Sequence, residues 1–179
     1  MGKDIIYELR TTDLKDYRSI PFWSWNGELE IPELLKQIEH MNLRKIGGFI
    51  MHARTGLTTP YLQDKWFKCV EACLDKAKEL GMNAWIYDEN GWPSGFVGGE
   101  LLKEKENLAT YLTHKVNKSY DETAVRNWVK TTDGYVLADK NTAGDEFEAV
   151  YLNYSPANTD ILNPKVMDKF IEKTYEQYY

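Results

Sequence analysis

Two cysteines in 179 residues cannot staple a fold together. Cys69 and Cys73 lie four apart on a predicted helix, share one face, and read as buried free thiols. A metal pair would need further ligands at suitable spacing, and the neighbouring sequence offers none, so no metal and no cofactor are expected. Long hydrophobic runs are missing as well: nothing approaches the roughly 20 apolar residues that span a bilayer. The opening stretch MGKDIIYELRTTDLKD is charged throughout and lacks the apolar centre of a signal peptide, which sets the expectation of a cytoplasmic protein with no membrane partner. Nor is there an excess of positive charge. The net charge is -6, the pI is about 5.2, and no Lys/Arg cluster could form a polyanion-binding face, so a nucleic-acid partner is not expected. Internal repeats and low-complexity segments are absent, apart from an alternation of strand and helix patterns.

What is present suits a globular domain with a real core: 42% hydrophobic and 28% charged residues. Residues 1–19 read as a polar lead-in. A first strand is predicted over 20–25, ending at the turn Asn26-Gly27. Residues 30–42 follow as a helix, with Pro32 near its start and Ile31, Leu34, Leu35, Ile38 and Met41 on one face. A second strand covers 47–53, and a second helix runs over 63–80 with Trp66, Phe67, Val70, Cys73, Leu74, Ala77 and Leu80 as its buried stripe. Gly81 sits just past that helix, where a left-handed residue commonly ends one. A third strand, 84–87, stops at two adjacent carboxylates, Asp88 and Glu89.

Three strand–helix alternations predict a parallel sheet, and right-handed crossovers place every strand's C-terminal end on one rim. Trp25, Asn26, His52, Arg54, Asp88 and Glu89 would meet there. The fold expectation is therefore α/β: about three βα units of a partial (β/α)8 (TIM) barrel, whose active site would lie at that rim. After a short helix over 99–107, the pattern changes to alternating strands at 110–116, 125–130, 135–138 and 147–154, with a hairpin turn at Asp133-Gly134. Asn163-Pro164 then opens a final helix. The organisation expected is 1–109 for the barrel part, 110–155 for an inserted antiparallel sheet and 156–179 for a return to the barrel. An exposed sheet edge in such a piece invites pairing with a second copy, giving a homo-oligomer.

The candidate chemistry sits at the strand ends. Glycoside hydrolysis commonly uses two carboxylates on opposite sides of the bond. Adjacent residues of a strand point to opposite sides, so only one of Asp88 and Glu89 would face a substrate. That one would act as a catalytic carboxylate or bond sugar hydroxyls; the alternative is a carboxylate that caps its own loop. Trp92, in the Trp-Pro-Ser-Gly loop, either offers an apolar face to a sugar ring or packs under the loop. Trp23 and Trp25 share a strand face; one belongs to the core, and Trp25, nearer the rim, is the ligand candidate. Arg54 could hold a carboxylate, from Asp88, from Glu89 or on a substrate. His52 could bond a hydroxyl or move a proton. Gly95, Gly98 and Gly99 lack the Lys-Ser/Thr of a phosphate loop and the spacing of a dinucleotide fingerprint.

The segments PFWSWNGEL (21–29), GGFIMHARTGLTTPYL (47–62) and YDENGWPSGFVGG (87–99) resemble the N-terminal catalytic-barrel region of bacterial proteins similar to glycoside hydrolase family 106, the α-L-rhamnosidase family. DILNP (160–164) before a helix matches the same group. The resemblance implies a (β/α)8 barrel, glycoside substrates and carboxylate catalysis, with further catalytic carboxylates on later strands that this chain does not have. It carries over Asp88, Glu89, Trp92, His52, Arg54 and Asn26 as site-forming positions, with Glu89 the favoured catalytic group. The function expected is that of an N-terminal fragment of a glycoside hydrolase acting on O-glycosidic bonds, including α-L-rhamnosides, and inactive alone. The alternative is a carbohydrate-binding module without catalysis, with Trp25 and Trp92 as its platforms.

Overall fold

A computed structural model describes residues 5–7 and 17–179; most of the polar lead-in lies outside the described residues. The chain divides into two compact units, one running to Gly98 and taking in Ile171–Tyr179, the other Gly99–Phe170.

In the first unit the order is β1 (Phe22–Trp25), α1 (Ile31–Leu43), β2 (Gly48–Ala53), α2 (Asp64–Leu80) and β3 (Asn83–Asn90). The strands form a parallel sheet in that order, with Trp25 opposite Ala53 and Gly48 opposite Asn83. Pro32 sits in the first turn of α1, where its missing N–H costs nothing. Gly81 ends α2 at φ 62°, and the following Met82 amide reaches back to the Ala77 carbonyl at 2.8 Å. Alternation along the strands turns Trp23, Trp25, Phe49, Met51, Ala84 and Ile86 toward Leu34, Ile38, Trp66, Val70 and Cys73 of the helices, and these side chains make the core. Both cysteines are buried and free. Phe22, Ser24, His52, Trp85 and Tyr87 fall on the opposite face, where Phe22 is 58% and Trp85 59% exposed.

In the second unit β4 (Leu108–Asn117), β5 (Arg126–Thr131), β6 (Gly134–Leu137) and β7 (Phe147–Thr159) form an antiparallel sheet in the order β4-β7-β5-β6. Phe147, Ala149, Asn127 and Val129 are buried on one of its faces. Residues 99–107 are not the helix predicted. They make two short 3-10 turns, Leu101–Lys103 and Lys105–Asn107, and the buried Asn107 amide group donates to the Leu101 carbonyl at 3.1 Å. Helix α3 (Pro164–Lys173) starts as the sequence indicates, with Asn163 Oδ1 accepting the Lys165 amide at 3.1 Å.

The expected partial (β/α)8 barrel is not what forms. The three parallel strands make an open sheet, and the strands after β3 pair antiparallel in a separate four-stranded sheet. No fourth parallel strand joins β3 among the described residues. Strand–helix alternation dictates parallel pairing, but closure depends on the strand count, and three strands cannot close. Among the described residues, no helix is long and apolar enough to cross a membrane.

Gly48 leaves no room for a side chain: an added Cβ would lie 2.2 Å from the Asn83 carbonyl oxygen. Gly48→Ala should cost about 3 kcal/mol in urea unfolding. Gly27→Ala, with nothing within 4 Å, should stay within about 0.5 kcal/mol of the parent. Equal midpoints for the two variants would contradict this packing.

Candidate functional site

Strand β3 runs beyond its apolar stretch and carries both carboxylates. Its register against β2 shifts at the end: Met51 faces Ile86, but Ala53 faces Asn90. The extra residues aim the Glu89 side chain into the loop that follows. Glu89 is fully buried and accepts five backbone N–H groups: Asn90 at 2.8 Å and Gly98 at 2.5 Å on Oε1, and Gly95 at 3.1 Å, Phe96 at 2.9 Å and Val97 at 2.8 Å on Oε2. Gly95, at φ 125°, lets the chain turn so that successive amides converge on one point.

Asp88 is also engaged. It accepts the Ser94 hydroxyl at 2.8 Å and the Tyr175 hydroxyl at 2.5 Å. That bond to the carboxylate is the main reason the Tyr175 phenol is raised to about 12. Trp92, joined to Pro93 by a cis peptide bond, stands 70% exposed. Its ring stacks on Tyr87, with centroids 6.2 Å apart and planes 17° apart. His52 is 4% exposed; its ring lies between Tyr87 at 4.1 Å and Phe22 at 5.4 Å. Its Nε2–H donates to the Gly91 carbonyl at 3.3 Å. Burial draws the His52 pKa below its ordinary 6.5; the bond to Gly91 opposes this and the nearby Arg54 charge adds to it.

Phe22, Ser24, His52, Arg54 and Trp92 line a cleft of about 280 Å³ on the face of the parallel sheet opposite its helices. Three of the residues singled out in the sequence (His52, Arg54 and Trp92) therefore come together. Asn26 does not join them. It lines a different cleft of about 250 Å³, beside Glu28, Glu30 and Glu33. Trp25 lies in the core at 2% exposure, its ring against Trp23 and Trp66 at 5.5 and 5.1 Å. Phe22, Ser24 and Tyr87 were not foreseen as site residues, although the signal was available. Once Trp23 and Trp25 are assigned to the core face, period two sends Phe22 and Ser24 to the other. Among the described residues, no group of three or more His, Cys, Asp or Glu is placed to hold a metal ion.

Fold and site together define an α/β unit with an aromatic-walled cleft, followed by an antiparallel β unit. No protein-family model matches the chain, and neither does any curated protein. Among solved structures, the chain is similar to a rhamnosidase from Novosphingobium sp. PP1Y, at 16% sequence identity and a TM-score of 0.49. The match covers 73% of this chain but only 12% of that one. A likeness at this level says nothing of activity.

Two outcomes follow from the loop geometry. Glu89→Gln replaces a carboxylate oxygen by an amide N–H that faces N–H donors, and should cost about 3 kcal/mol in urea unfolding; unchanged stability would contradict the anchoring role. Because the folded pKa of His52 lies below 6.5, the unfolded chain takes up that proton first as pH falls. Stability is therefore full above that value and lost below it, and the drop in midpoint between pH 7.5 and 5.5 should be smaller in His52→Gln than in the parent.

Proposed function

We propose that the cleft between the ends of β1 and β2 and the Trp92 loop binds a saccharide, as the sugar-recognising part of a glycoside hydrolase-like protein, and that these residues alone do not turn it over. One observation carries the proposal. An exposed indole backed by a stacked phenol walls a cleft whose other sides offer a hydroxyl, an imidazole and a guanidinium. An aromatic face takes the C–H side of a sugar ring, and polar groups around it take the hydroxyls. The cleft volume, about 280 Å³, lies at the small end of ligand sites and suits a single sugar ring.

Hydrolysis of O-glycosidic bonds would need a carboxylate able to reach the bond. Both candidate carboxylates are engaged within the fold: Glu89 accepts five amides, and each oxygen of Asp88 accepts one hydroxyl, from Ser94 and Tyr175. For Glu89 to act as acid or nucleophile, it would have to leave every one of its donors. The α-L-rhamnosides named by the family resemblance are the first substrates to test for turnover.

Titration of the chain with mixed oligosaccharides, followed by tryptophan fluorescence, should show binding that Trp92→Ala weakens at least about tenfold, as expected for loss of a main stacking surface. An aryl α-L-rhamnoside should release no aryl group. Release that is abolished by Glu89→Gln would instead favour the hydrolase reading.

A further inference from the structure

We infer that the saccharide taken by this cleft is acidic: a hexuronate, or a chain bearing one, whose carboxylate meets the Arg54 guanidinium. This rests on the saccharide reading above and adds the ligand's charge to it.

The sequence leaves Arg54 three candidate partners: Asp88, Glu89 or a carboxylate on a ligand. Among the described residues neither of the first two pairs with it. The oxygens of Asp88 accept hydroxyls from Ser94 and Tyr175, and Glu89 is enclosed by backbone amides. Arg54 is exposed, and its guanidinium has no hydrogen-bond or ion-pair partner among the described residues. Only its backbone is tied down, with the amide donating to the Trp25 carbonyl at 3.0 Å. Five N–H donors in a planar fork therefore border the cleft unspent, in the geometry that fits a carboxylate two bonds at a time.

The local charge points the same way. The protein carries a net -6, yet among the described residues no carboxylate lines this cleft, whereas three line the one beside Asn26. Burial draws the His52 pKa down, against a charged imidazole, which leaves the Arg54 guanidinium as the cleft's standing positive charge among the described residues. One charge matches one carboxylate. A pyranose lying face-on to Trp92 presents its C5 substituent at the ring edge, toward the side chains that border the indole. A neutral sugar would offer the guanidinium only hydroxyls.

The test is titration of the full chain at low salt with oligomers of galacturonate and of glucuronate, each beside its methyl ester. At least one acid should bind about tenfold tighter than its ester, as for hydrogen bonds made to a charged group. Added salt should narrow that gap. Arg54→Gln should abolish the gap and Arg54→Lys restore part of it, while Trp92→Ala weakens acid and ester alike. Esters that bind as tightly as acids would overturn the charge assignment and leave the saccharide reading standing. Failure of every saccharide to bind would overturn both. A gap that survives Arg54→Gln, or acid displaced equally well by acetate, would also overturn the inference.

Discussion

The structure of the first unit depends on one buried carboxylate. Taking a charge out of water is costly unless its lone pairs are filled, and Glu89 fills them with five amides from its own downstream loop. The same bonds fix the loop. Through it, Trp92 is held against Tyr87, the Gly91 carbonyl is presented to His52, and Ser94 is brought to Asp88. Val97 is kept at φ 54°, a conformation that a β-branched residue rarely adopts unsupported. In this position the charge works as an anchor for the backbone.

The sheet supplies the other half of the arrangement. Parallel sheets are commonly covered on both faces. Here the helices cover one face, and the other leaves Phe22 and Trp85 more than half exposed. Those exposed aromatics would be a liability if the face were only apolar. It is mixed: Ser24, His52 and Arg54 alternate with the aromatics along and just beyond the strands, which is the composition of a small-molecule site. Strand parity thus accounts for both the core and the cleft. Trp23 and Trp25 go one way, Phe22 and Ser24 the other.

Much of the local structure was legible in the sequence. Helical spacing marked α1 and α2, Gly81 marked the end of α2, and Asn163-Pro164 marked the start of α3. Leu74, placed on the buried stripe of α2, is 41% exposed, because it lies at the margin of that stripe. Strand β3 outran its hydrophobic signal, because its last residues are polar groups paired to the loop; an apolar run cannot reveal that. The role of Glu89 was only half visible. A loop-capping carboxylate was one of its two readings, but the glycines did not mark the inward amides: Gly91 donates to the Ala53 carbonyl, and Asn90, Phe96 and Val97 supply three of the five donors. The barrel expectation came from counting βα alternations and from a family likeness. Neither specifies what the chain does after β3, where pairing becomes antiparallel.

Hydrogen exchange at the Gly95, Phe96, Val97 and Gly98 amides tests most directly whether the Trp92 loop is locked from within. Exchange as slow as that of the β2 and β3 amides is the predicted result. Exchange at the rate of an open surface loop would mean that the carboxylate does not hold the loop, and that the cleft it shapes is not built in advance.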